Sequence, residues 1–185
     1  PPSVKPYTGT KIMIELKPLK SEAFAAALEK AKRYRLLNEP DDAESICLDV
    51  LASKPDHQDA LITLLLALTD KMRNSGVNPA FDQAQEIIQK LDSSYSKSYY
   101  LGVIFERRAK YHLKQGGPGS GTAAHPWFIK AMESYEHALS ADDPKNQNAV
   151  LRWNSCARIL NSRSDVTADD SDNAEMLLDS FETPH

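Results

Sequence analysis

Three features of this sequence predict an all-α fold. Apolar residues recur every three to four positions through most of the chain, the period of a helix with one buried face. Glycine is scarce, 7 in 185 residues, and 4 of those fall in one run between Gly116 and Gly121. Long stretches are therefore free of helix breakers. The third feature is repetition. A pair of amphipathic segments at 24–57 is followed by weaker copies at 58–94 and 95–144, then by a single segment at 146–162.

Composition sets the outer limits. The chain is long enough for one domain with a real core. Hydrophobic content of 41% and charged content of 26% place it among ordinary globular proteins. A net charge of −4 and a pI near 5.7 argue against nucleic acid as a partner. Cys47 and Cys156 lie far apart inside helical patterns, which predicts buried free thiols in a reducing, cytoplasmic setting. No apolar run reaches membrane-spanning length, so direct membrane insertion is not expected. The chain starts at Pro1 without Met, which suggests a processed or trimmed protein.

Taken in order, residues 1–20 contain Pro1, Pro2, Pro6 and Pro18 and predict an extended arm. Lys11 to Leu16 alternates and suits a short extended stretch. Ser21 has the chemistry of a helix N-cap, and a helix is predicted over 22–37, ended by Asn38-Glu39-Pro40. Asp41 and Asp42 suit the first turn of the next helix, which Pro55 closes. A third helix is predicted over 58–73, a fourth over 79–93 and a fifth over 95–114. The glycine run in 115–125 predicts a flexible loop, with Pro126 at the first position of a sixth helix reaching 140. A seventh helix is predicted over 146–162. The tail, 163–185, is acidic and predicts disorder, with Ala174–Phe181 the one piece able to fold.

The repeated unit resembles the tetratricopeptide repeat (TPR), a helix pair of about 34 residues with small and aromatic residues at fixed offsets and a closing proline. Tyr34, Ala43 and Pro55 match in the first unit. Leu64, Ala84, Ile88 and Leu91 match in the second. Leu101, Gly102, Phe105, Ala131, Tyr135, Ala138 and Pro144 match in the third, whose two halves are separated by the glycine run. Lys30 and Cys47 depart from the pattern. The resemblance covers 22–162 and implies a short right-handed superhelix of about three antiparallel pairs with a C-terminal capping helix.

The resemblance also implies a concave groove that takes a peptide. The matching inward positions are Leu28, Lys32 and Arg35 in the first unit, Ile62 and Leu66 in the second, and Tyr99, Val103, Glu106 and Arg107 in the third. They would form an apolar strip edged by bases, suited to an amphipathic or acidic segment. One TPR subfamily clamps the C-terminal carboxylate of chaperones. Of the positions that match its clamp, Leu28, Lys32, Thr63, Ser96 and Tyr100, only Lys32 is a suitable donor, so that mode is not expected.

No chemistry stands out. The glycine run lacks the strand and lysine of a phosphate loop. Glu133, Glu136 and His137 lack the first histidine of an inverted zinc-protease motif. Asp169 to Asn173 lacks the glycine and terminal glutamate of a calcium loop. The expected function is an adaptor or scaffold that binds a protein segment, with no catalysis, cofactor or metal. The alternatives are a regulatory module of a larger protein or a small secretion-type chaperone.

Charge adds one further expectation. Residues 1–36 carry eight bases against three acids, and residues 165–185 carry seven acids and no Lys or Arg. The tail has the composition to fold back on the basic, apolar groove in cis.

Overall fold

A computed structural model describes residues 14–75, 78–139 and 146–169, with the side chains of 73–75 and 78 left aside. Within these residues the chain is all helical. A 3₁₀ turn, Ser21–Ala23, leads into α1 (Phe24–Leu36). Then come α2 (Pro40–Ser53), α3 (Gln58–Ser75), α4 (Asn78–Gln89), α5 (Ser94–Gln115), α6 (Ser120–Leu139) and α7 (Asn148–Ser162). Each helix packs on the next, and α1 also touches α3, as α3 does α5. Links as short as 37–39 force packed neighbours to run antiparallel.

Local chemistry explains most boundaries. Asn38 ends α1 with φ 62°, a left-handed conformation that asparagine tolerates. Pro40 opens α2, where its missing N–H has no helical partner to lose, and Asp41 and Asp42 follow in the first turn. Ser93 caps α5 by accepting a hydrogen bond from the Ser96 N–H at 3.3 Å.

Two sequence expectations are corrected. Ser21 does not cap α1, because it lies inside the 3₁₀ turn and its hydroxyl turns to Glu22. The loop predicted over 115–125 is confined to 116–119, where Gly116, Gly117 and Gly119 all take positive φ. Helix α6 therefore starts at Ser120, and Pro126 lies inside it rather than at its first position. Burial holds this early turn in helix: Gly121, Ala124 and Phe128 all face the core.

The core has two connected halves. One joins α1 to α4 around Leu28, Ala43, Cys47, Leu65 and Ile88, with Ile104 of α5. The other joins α5, α6 and α7 around Val103, Phe128, Tyr135 and Cys156. Leu66, Tyr100, Phe105 and Trp127 pack against both. Cys47 and Cys156 are buried free thiols. Burial pushes each thiol pKa up to about 12.

Both ends of the described chain touch the helices. The Ser53 hydroxyl donates to the Leu19 carbonyl at 3.3 Å, and residues 16–19 lie beside α2. After α7, Val166 is buried against the second half of the core. The Asp165 carbonyl sits so close to Gly121 that a β-carbon there would collide with it. The first half of the predicted extended stretch over Lys11 to Leu16 lies outside the described residues, as does all of Ala174–Phe181.

Candidate interaction face

The alternate helices α1, α3, α5 and α7 are laced together by charge. Arg35 on α1 donates to Asp70 on α3 at 2.8 Å. Arg107 on α5 meets the other oxygen of Asp70 at 3.5 Å. The neighbouring residue, Glu106, is 1% exposed. It accepts hydrogen bonds from Lys110 one turn along α5 and from the Tyr135 hydroxyl of α6 at 2.6 Å. Arg152 of α7 reaches it at 3.3 Å.

A carboxylate so buried is costly unless its charge and lone pairs are met. Burial works against the ionised form of Glu106. The Lys110 and Tyr135 hydrogen bonds and the Lys110 and Arg152 charges outweigh it, holding the acid below its ordinary pKa. Burial and the adjacent Glu106 charge conversely push the Tyr135 hydroxyl upward, so it remains a donor.

Within this network and its extension to Lys114, Arg35, Arg107, Lys110, Lys114 and Arg152 outnumber Asp70 and Glu106 by three charges, while Asp59 of α3 and the Lys32–Glu29 pair lie further along the same helices. At the C-terminal end of α5, a hollow of about 100 Å³ is lined by Thr69, Met72, Arg107, Lys110, Tyr111 and Lys114. No carboxylate is among its lining residues.

The nine positions expected to line a groove fall into different environments. Arg35 and Arg107 are brought together by Asp70, and Glu106 anchors the adjoining network. Tyr99 is half-buried and stacks on Tyr95 with centroids 5.6 Å apart. Ile62 and Leu66 are half-buried against the core. Val103 is buried. Leu28 is buried too and forms part of the wall of a separate hollow of about 430 Å³ beside Lys32, His57 and Asp59. Lys32 is exposed and pairs with Glu29 at 2.7 Å.

Asp70, Lys110, Lys114 and Arg152 were not anticipated from the sequence. A signal for part of the ladder exists. Arg35 and Asp70 are 35 positions apart, and Arg107 lies a further 37 beyond Asp70, close to one repeat length at each step. Oppositely charged residues one repeat apart meet when equivalent helices pack side by side.

Elsewhere on α5, the Arg108 guanidinium lies over two rings, Phe81 at 4.3 Å and Trp127 at 4.0 Å, which meet each other edge to face at 5.6 Å. This cluster joins α4, α5 and α6. The nearby His112 Nε2 is buried without a hydrogen-bond partner. Burial, then the Arg108 charge, lowers the pKa of His112.

Among the described residues no cluster of His, Cys, Asp and Glu could hold a metal ion, and no helix is long and apolar enough to cross a membrane. No family model, curated protein or solved structure matches the chain.

Proposed function

We propose that the chain is a protein-binding adaptor built from TPR-like helix pairs, which uses the face of α1, α3 and α5 to hold an acidic or amphipathic peptide segment without catalysis. The observation that carries this reading is the ladder from Arg35 through Asp70 to Arg107. Its spacing supports a repeated unit, and its excess of bases suits an acidic partner. Contacts of α1 with α3 and of α3 with α5 support equivalent helices lying side by side. So does the burial of Ala43, Gly102, Ala131 and Tyr135, which hold packing positions in the repeat pattern. The ion pairs serve two ends: they fix helix register, and their exposed edges leave cations for a ligand.

Selection of displayed random peptides against the immobilised chain tests the proposal. Enriched peptides should combine carboxylates with apolar residues. Their affinity should fall about tenfold on charge reversal at Lys114, the loss of one well-placed ion pair. Lys30→Glu, on the far side of α1, should leave it unchanged. No enrichment, or equal sensitivity to both changes, overturns the reading.

A further inference from the structure

We propose that the outer flank of α1 is a second docking surface, apart from the charge ladder, and that it takes an acidic amphipathic helix of another protein. That helix stacks on α1 as α2 stacks on α3 and α4 on α5.

The flank is built on one helix. Ala26, Glu29, Lys30, Arg33, Tyr34 and Leu37 recur at helical spacing and line an open hollow of about 570 Å³. The other side of α1 enters the core through Phe24, Leu28 and Ala31. On the flank only Tyr34 is half-buried, and the rest are exposed. Leu37, 68% exposed, gives it an apolar end beside Tyr34.

The chain itself shows what covers such a flank. The repeat spacing carries Lys30 to Leu64 on α3 and to Leu101 on α5, steps of 34 and 37 positions. On α3 the corresponding residues Ala60, Thr63, Leu64, Ala67 and Leu68 are all buried. The last of the set, Lys71, meets Asp41 and Glu44 of α2 at 2.8 and 2.5 Å. On α5, Ile104 is buried, and Phe105 and Arg108 lie against Phe81 of α4. In both places the cover is the second helix of the preceding pair. On α1 the same flank lies open.

Charge names the occupant. Lys30 stands where α3 has Leu64, and Arg33 where it has Ala67. Both cations are exposed and form no ion pair among the described residues. The one carboxylate of the hollow, Glu29, is held by Lys32 at 2.7 Å. A covering helix must therefore bring carboxylates to the middle of the flank and an apolar side chain to Tyr34 and Leu37. A second copy of α1 does not meet this need. Paired antiparallel about the centre of the flank, it sets Lys30 against Arg33 twice. Paired parallel, it sets each cation against its own counterpart. Residues 1–13 carry Lys5 and Lys11 and no carboxylate, so their charge is also wrong. From Ala26 to Leu37 the flank spans roughly 16 Å, three turns. A helix the length of α2, 14 residues, covers it.

The probe is a displayed library of helix-stabilised 14-residue peptides, selected on the intact chain and depleted on a Lys30→Glu, Arg33→Glu variant. Both changed residues are exposed, so the fold is kept. Recovered peptides should carry Asp or Glu beside an apolar stripe and shift the amide signals of Ala26 to Leu37. Their affinity should fall at least tenfold in the double variant, and also in Leu37→Ser. Lys114→Glu should leave it unchanged. Recovery of no discriminating peptide, or of basic ones, overturns the proposal. Loss of binding on Lys114→Glu places the peptides on the charge ladder, which overturns this proposal and leaves the groove reading standing. Dimerisation of the free chain that Leu37→Ser abolishes makes a second copy the occupant and overturns it as well.

Discussion

Glu106 is the residue on which most depends. Its two oxygens satisfy Lys110, Tyr135 and Arg152, from three helices. Glu106→Ala would leave Arg152 and the Tyr135 hydroxyl with no carboxylate to meet, so we expect a loss of about 3–5 kcal/mol in urea unfolding. A loss below 1 kcal/mol, roughly that of a surface pair, would contradict the buried network. The same residue sets an acid limit. Its folded pKa lies below the ordinary 4.5, so its contribution is present above that pH and fades as pH falls through the folded value. His112 acts in the same direction, because its folded pKa is lowered from 6.5. The neutral ring is favoured in the fold, and stability declines as pH drops below 6.5. The urea midpoint should therefore fall in two stages on acidification, and His112→Gln should remove the earlier one. Neither effect was legible in the sequence. Glu106 could be assigned to a helix face there, but its burial depends on Tyr135 and Arg152, which arrive from later helices.

At the scale of elements, two glycines mark where chain segments approach most closely. A β-carbon on Gly102 would lie 2.5 Å from the Tyr135 ring. That ring cannot retreat, because it is buried and its hydroxyl is held by Glu106. Gly102→Ala should cost about 1–3 kcal/mol, measured by thermal or urea unfolding, through overpacking of α5 against α6. Gly121 is different, since its neighbour is the backbone of a terminal segment. Gly121→Ala should release residues 163–169 and speed their amide exchange, while Tyr99 to Ala109 keeps its protection. Equal acceleration in both regions would mean that the segment and the helices open together. The sequence made Gly102 legible, because a small residue beside Leu101 matched a repeat position. It hid Gly121 inside a run that looked like linker. Glycines are scored as breakers along the chain, and a partner some forty residues later cannot be seen in that view.

For the molecule as a whole, helix order and number could be read from apolar spacing. Placement could not, because spacing shows which face of a helix is buried but not what buries it. The charge ladder supplies that information, and it is also what ties α1 to α5 across α3. Reversing the middle rung, Asp70→Lys, would set three cations side by side. It should weaken the contact of α3 with α5, which joins the two halves of the core, more than the packing within each half. Unfolding would then separate into two steps, monitored by probes in each half of the core. A single coincident transition at a lower midpoint would show that the halves remain one cooperative unit.

The packing of Arg108 over Phe81 and Trp127 has a practical consequence for such an experiment. Trp127 and Trp153 are the chain's only tryptophans, and only Trp127 sits at the meeting point of α4, α5 and α6. A Trp153→Phe protein would carry one intrinsic fluorophore, positioned at the seam between the two halves of the core. Its emission would shift when that seam opens, so the native chain already contains the optical gauge needed to time its own separation.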